Sequence, residues 1–306
     1  PFSFHPKTIN YASLSFLLTF YISIYFGLIF LVLSFFKNDF SKLIMIPVLF
    51  VITEIIRENF LFGFPWVTFS LVVSGNYYIL QLAYFIGSYG LSFLVIFLFL
   101  VPAGIFLLYN NGKKIFPKIY LITTFSIFFI LSFLIFIRLN FFNDPSTNID
   151  INLSLNQLNI SQSDKSNNLL KSDRINEILN IINNQKNTIH IFSETDYPYI
   201  IENNNMVNLV QKNLSNNNSV IIGGVRKENS SYYNSLFFIT KDYFQFFDKK
   251  KLVPFGEFLP FRNNLNFLEV IVGTVDLEKG KTDRLIKTTY DFNFIPVICY
   301  EIIFFN

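Results

Sequence analysis

The chain has 306 residues, with 24 Lys and Arg against 21 Asp and Glu, and the resulting charge of +3 is too small to point to nucleic acid. Hydrophobic residues make up 52% of it and 41 positions are Phe, which excludes an ordinary soluble domain with one modest core. One cysteine excludes a disulfide framework, and no cluster of ligating side chains has metal-site spacing, so neither a metal nor another cofactor is expected.

Residues 11–36 carry no charge and exceed the roughly 20 apolar residues that cross a bilayer. Residues 43–56 form a shorter apolar run that ends among Glu54, Arg57 and Glu58. The uncharged stretch 77–109 is long enough to span with tilt, and Gly87, Gly90 and Pro102 allow a kink. Residues 119–137 make a further run of about the minimum spanning length. The pattern predicts a transmembrane helical domain over residues 1–140 with about four spans. Lys37 and Lys42 follow the first run, and Lys113, Lys114 and Lys118 separate the last two, so both loops are expected on the cytoplasmic side. Lys7 and His5 argue weakly for the opposite sense. If 43–56 also crosses, everything from about Asn143 onward is extracytoplasmic.

A short polar linker, 140–148, leads into a different pattern. Residues 150–160 alternate like a strand, with Ile151, Leu153 and Leu155 on one side. Leu169, Leu170, Ile175, Ile178, Leu179 and Ile182 follow helical spacing. A strand over 188–192 ends just before Glu194, a polar helix is expected near 206–214, and strands follow at 220–224, 233–239 and 243–247. The apolar run 294–298 reads as a buried strand that places Cys299 at its end, where free amides and a following helix lower a thiol's pKa. Asn-rich stretches such as 203–205 and 216–218 read as loops.

Three segments carry chemistry. Ile191-Phe-Ser-Glu-Thr-Asp-Tyr-Pro198 supplies an acid, Lys249-Lys-Lys-Leu-Val-Pro-Phe-Gly-Glu-Phe-Leu-Pro260 a lysine, and Val297-Ile-Cys-Tyr-Glu301 a thiol, each close to a strand end. Their order and spacing resemble the Glu-Lys-Cys triad of the carbon–nitrogen hydrolase (nitrilase) superfamily. In the first half, Thr53-Glu-Ile-Ile-Arg57 followed by Phe62-Gly-Phe-Pro-Trp66, and then Gln81-Leu-Ala…Gly87-Ser-Tyr-Gly90, are similar to the membrane segments of one branch, the apolipoprotein N-acyltransferase family.

That resemblance implies an α-helical transmembrane domain followed by an α/β domain, an α-β-β-α sandwich of the nitrilase type over residues 145–306, incomplete at its C-terminus. It also implies a fragment lacking both ends of the family and inactive by itself. Glu194 would be the general base, Lys249 the oxyanion-stabilising lysine and Cys299 the nucleophile, with Lys250 and Lys251 on the surface. Glu257 would orient the Lys–Glu pair, and Tyr300 and Glu301 would shape the pocket. Tyr233-Asn-Ser235 also matches and reads as structural. The implied reaction moves an acyl chain from a phospholipid, through a cysteine thioester, to the N-terminal diacylglyceryl-cysteine of an apolipoprotein. Its implied partners are phospholipid, diacylated apolipoprotein and bilayer lipid, with no nucleic acid. Its implied place is the bacterial inner membrane, with the catalytic domain on the periplasmic face. Phe258, Leu259, Phe261, Leu265, Phe267 and Leu268 form either an apolar flap or part of the sheet packing. Ser166 stands where the family often has Trp. The rival reading is a membrane-tethered amidase acting on a small amide with the same triad.

Overall fold

Long runs of Phe, Leu and Ile without two-residue alternation fold as helices in the computed structural model, which describes residues 15–60, 63, 68–111, 115–142, 151–161, 164, 167–215, 217–269, 273–290 and 292–304. Most of the Gly-Phe-Pro-Trp turn, Lys113, Lys114, the 143–148 linker and Ser166 lie outside the described residues. The chain divides into two compact units, which meet in sequence between Thr147 and Asn148.

The first unit contains α1 (Ser15–Ser34), α2 (Asp39–Asn59), α3 (Tyr77–Leu80), α4 (Ala83–Phe99), α5 (Val101–Asn111) and α6 (Ile115–Phe141). Asn38 opens α2 by accepting the Phe40 amide at 3.0 Å, satisfying an otherwise orphaned donor. The stretch 77–109 is not one rod. Gly87 breaks α4 with φ 63° and ψ −175°, a conformation only glycine adopts freely. Two helical stretches, Ala83–Leu107 and Lys118–Phe141, are long and apolar enough to cross a membrane, and Thr19–Ser34 is apolar but shorter. Only 11% of the apolar window of Lys118–Phe141 is buried, and Phe125, Phe129 and Phe133 are largely exposed, unlike the core helix of a soluble protein. By contrast α2 buries Glu54, Arg57 and Glu58 in its last turns, where Glu54 Oε1 accepts the Phe69 amide at 2.8 Å.

The second unit is α/β. Its strands are β1 (Asn152–Asn156), β2 (Thr188–Phe192), β3 (Ser219–Glu228), β4 (Ser231–Ile239) and β5 (Phe244–Asp248), in the spatial order β1-β2-β3-β4-β5. The first three are parallel, whereas β3–β4 and β4–β5 are antiparallel, so the sheet is mixed. Helices α7 (Lys171–Asn184) and α8 (Asn205–Asn213) lay Ile178, Ile182, Met206, Val207 and Val210 on Val220, Ile222, Phe237 and Ile239 of one sheet face. On the other face Phe238 and Phe247 pack with Ile286 and Ile298, next to a two-stranded ribbon of β6 (Ile286–Lys287) and β7 (Asn293–Phe294).

The run 294–298 departs from expectation. Only Asn293–Phe294 is strand; Ile295 and Val297 are exposed and Ile298 is buried. Pro296 has no amide to give to a ladder, so the run cannot continue as an interior strand. Cys299 therefore opens a single 3₁₀ turn, Cys299–Ile303, with a left-handed backbone at φ 47°.

Candidate active site

Three strands of the sheet, β2, β4 and β5, and one loop deliver polar groups to the same place. Strand β2 ends at Phe192, and the tight turn after it, with Thr195 at φ 58°, presents Glu194. Strand β4 contributes Asn234 and β5 runs directly into Lys249. The Lys249 amide donates to the Asn234 carbonyl at 2.8 Å, which continues the β4–β5 ladder one residue beyond β5. Glu257 arrives from the following loop, where its Oε2 accepts the Val253 amide at 2.8 Å.

Four groups close a ring of alternating donors and acceptors. Lys249 Nζ lies 3.3 Å from Glu194 Oε1 and 2.9 Å from Glu257 Oε1. Asn234 Nδ2 donates to the same two oxygens at 2.6 and 2.7 Å. Lys249 is 1% exposed, and a lysine so deeply buried keeps its charge only when paired. Burial pushes its pKa down, but the two carboxylates, Glu257 first, outweigh that and hold it above the ordinary lysine value.

Cys299 stands beside this ring. The residue as a whole is exposed, yet its sulfur is withdrawn far enough from water for burial to be the largest influence on the thiol. Burial, followed by the charge of Glu194 and a hydrogen bond from the thiol to it, raises the thiol pKa. Lys249 and the Tyr300 amide pull the other way and lose. The expectation of a lowered thiol pKa is thus corrected: one short turn offers little dipole, and the nearest full charge is negative.

Glu301 holds this turn in place. Fully buried, it accepts the Lys250 and Lys251 amides at 2.8 and 3.2 Å, the Ile298 amide at 3.0 Å and Arg284 Nη2 at 2.8 Å. One carboxylate therefore ties the residues flanking Cys299 to those following Lys249. Tyr300 is buried beside it. Lys250 and Lys251 are half-buried rather than fully on the surface.

Asn234 was missed as a site residue, because Tyr233-Asn-Ser235 reads as structural. Ser235 is structural: its hydroxyl donates to Asp248 Oδ1 at 2.5 Å, and Asp248 also takes a two-pronged contact from Arg226 at 3.0 and 2.7 Å. The apolar segment after Glu257 divides between its two readings. Leu259 and Leu268 are buried, whereas Phe261 is 64% exposed and Phe267 is also open. Arg262 fastens the segment by pairing with Asp276 and Glu269.

The fold and this cluster define the class: an apolar helical region joined to an α/β unit that sets an acid–lysine pair against a thiol. Residues 3–101 match the family model described as the apolipoprotein N-acyltransferase N-terminal domain. The chain is 31% identical to an apolipoprotein N-acyltransferase of Wigglesworthia glossinidia brevipalpis, over 94% of this chain and 58% of the relative. It is 30% identical to that of Haemophilus ducreyi over 95% and 59%, and 27% identical to that of Rickettsia prowazekii over 90% and 56%. The chain is a homologue of the apolipoprotein N-acyltransferases and spans less than two thirds of the length of these relatives.

Proposed function

We propose that this chain carries the thioester-forming centre of a phospholipid:apolipoprotein N-acyltransferase, with Glu194, Lys249 and Cys299 as its catalytic groups. The observation that supports the reading is the buried Lys249 ammonium held 3.3 Å from Glu194, the same carboxylate whose charge, after burial, bears most on the Cys299 thiol. A thiol kept protonated at rest beside a carboxylate needs a general base at the moment of attack, and in this reading Glu194 is that base. Cys299 Sγ bonds to the ester carbonyl carbon while Glu194 takes the thiol proton, and the ammonium of Lys249 stabilises the oxyanion that forms. Collapse breaks the ester C–O bond, and the departing lysophospholipid oxygen takes the proton from Glu194. The acceptor α-amine then attacks the thioester, Glu194 removes its proton, and the amide leaves with the acyl chain as Cys299 regains its hydrogen.

Glu257 and Asn234 position Glu194 and Lys249, and Glu301 positions the Cys299 turn. Both substrates are lipid-anchored, so helices that keep the enzyme in the same membrane turn a three-dimensional search into a lateral one. In this reading the second unit is a nitrilase-type domain on the outer face of the inner membrane, completed as an α-β-β-α sandwich. The full-length natural protein, incubated with phospholipid, should accumulate a hydroxylamine-sensitive acyl group on Cys299. Cys299→Ser and Glu194→Gln should abolish it. Lipoprotein acylation that persisted in Cys299→Ala would show the thiol to be structural.

A further inference from the structure

Residues 277–282 touch the main chain of three site elements in turn. The Leu277 amide donates to the Glu257 carbonyl at 2.8 Å, the Glu278 amide to the Tyr232 carbonyl of β4 at 2.7 Å, and the Gly280 amide to the Lys249 carbonyl at 2.8 Å. A Cβ on Gly280 would overlap the Asp248 carbonyl oxygen, so only glycine permits this approach. Thr282 Oγ1 then accepts the Asp248 amide at 3.2 Å. Tyr232 stands two residues before Asn234 on the same strand. One segment therefore ties together the backbones that carry Glu257, Asn234 and Lys249, whose side chains hold one another in the ring.

Arg262 fixes the start of this segment. Its guanidinium takes both carboxylate oxygens of Asp276, Nε meeting Oδ2 at 2.9 Å and Nη2 meeting Oδ1. Its Nη1 reaches Glu269 Oε1 at 2.6 Å and the Gly273 carbonyl at 3.1 Å. Asp276 Oδ1 also accepts the Leu259 amide at 2.8 Å, two residues past Glu257. A planar fork with four contacts fixes a loop more rigidly than a single-point ammonium does. The contact with Arg262 holds the Asp276 carboxyl below the usual carboxylate range, so the pair stays charged. The loop that Arg262 closes exposes Phe261 and Phe267. Without the clamp, motion of that loop would pass directly into the rung between Leu277 and Glu257.

We propose that Arg262 is a positioning residue for the Lys249–Glu257 pair, acting through Asp276 and the segment that follows it. The role rests on the acyl-transfer reading above. Without Arg262, Glu257 drifts from Lys249, and the lysine charge is then less neutralised where it acts on the Cys299 thiol.

The test uses the full-length natural protein. Arg262→Gln should slow single-turnover acylation of Cys299 about two- to fivefold, a modest loss because the ion pair is partly open to water. The phospholipid concentration giving half the maximal rate should not change. Iodoacetamide gives a second readout, followed at Cys299 by mass spectrometry. Losing a distant cation by itself raises a thiol pKa, whereas a Lys249 freed from Glu257 lowers it, so the alkylation midpoint should fall in Arg262→Gln. In a Lys249→Met background Arg262→Gln should leave the midpoint in place, whereas local unfolding around the thiol would lower it in either background. Asp276→Asn should act as Arg262→Gln does, and the double variant should be no slower than the slower single one, because both break one contact. Lys227→Gln, which removes the cation paired with Glu202, should leave rate and midpoint alone. An unchanged acylation rate, a midpoint that fails to fall or falls without Lys249, or losses that add in the double variant overturn the assignment. If the midpoint behaves as expected but wild-type protein never loads an acyl chain, the acyl-transfer reading fails while the positioning role stands.

Discussion

Gly223 of β3 meets Glu194 backbone to backbone: a Cβ built on Gly223 would lie 2.9 Å from Glu194 Cα and 2.8 Å from the Thr195 amide nitrogen. Both are main-chain atoms, so the clash cannot be relieved by a side chain swinging away. The missing side chain on β3 is what lets the β2 turn bring Glu194 to Lys249. Gly223→Ala is expected to cost about 1–3 kcal/mol of stability through overpacking. It should slow thioester formation on the order of a hundredfold, because Glu194 is pushed off its position. A single-turnover acylation assay beside a thermal melt checks this; unchanged acylation would show that Glu194 tolerates the shift.

Asn234 is expected to matter to the chemistry beyond its place in the sheet. Its amide separates two carboxylate oxygens that otherwise share only the Lys249 ammonium. Asn234→Ala should cost roughly 1–3 kcal/mol from the donors lost to buried acceptors, and lower acylation by about ten- to a hundredfold. Asn234→Asp should be worse than Ala, since it sets a third carboxylate against Glu194 and Glu257. An Asp variant as active as wild type would remove Asn234 from the positioning network.

The helices and strands around this site were legible because their signals are local. Ile178 and Ile182 recur at helical spacing and both reach the core. The five-residue strand-like run Thr188–Phe192 ahead of Glu194 is the β2 strand as expected. The run 294–298 failed because apolar composition concealed Pro296, whose missing amide is a single-residue veto on strand pairing. Asn234 had a weaker signal, a lone amide in line with Leu236 and Phe238 on an otherwise apolar strand face. That signal is not decisive alone. His190 sits the same way in β2, fully buried, and neither ring nitrogen has a hydrogen-bond partner among the described residues. Whether a buried polar side chain finds partners depends on loops distant in sequence, here the one that delivers Glu257. The sequence does not display that meeting.

The Arg226–Asp248 pair, with side chains 12% and 3% exposed, anchors the residue immediately before Lys249. Arg226→Met should destabilise the α/β unit by about 3–5 kcal/mol, because it leaves the Asp248 carboxylate buried without its cation. The double variant Arg226→Met with Asp248→Asn should recover much of that loss, since neither charge is then stranded. Chemical denaturation followed by tryptophan-independent circular dichroism measures both. A single variant as stable as wild type would mean that Ser235 and the Thr282 contact suffice to hold Asp248.

The proposed orientation rests on the basic loops. Reporter fusions after Lys114 should read cytoplasmic and fusions after Asn148 extracytoplasmic, because lysine-bearing loops stay on the inner side. An extracytoplasmic signal at Lys114 would reverse the proposed orientation and remove the proposed access to exported lipoproteins.

The thiol itself offers the sharpest pH test. Iodoacetamide reacts with the thiolate, so its rate of attack on Cys299 should rise with a midpoint above the ordinary thiol value of 9.0. Burial is the largest cause and stays in place in a point variant, but the next contribution is the charge of Glu194. Glu194→Gln should therefore move the midpoint down, even though it removes the proposed base and stops acylation. Lys249→Met should move it up, because Lys249 favours the thiolate. Stability follows the same sign. A thiol whose folded pKa is raised contributes stability that is complete below the unfolded value and is lost as the pH rises through the folded one. Wild-type protein should thus lose stability above about pH 9 relative to Cys299→Ala, and match its pH dependence below that. A midpoint that Glu194→Gln left in place would separate the thiol from the carboxylate, and the general-base assignment would fall with it.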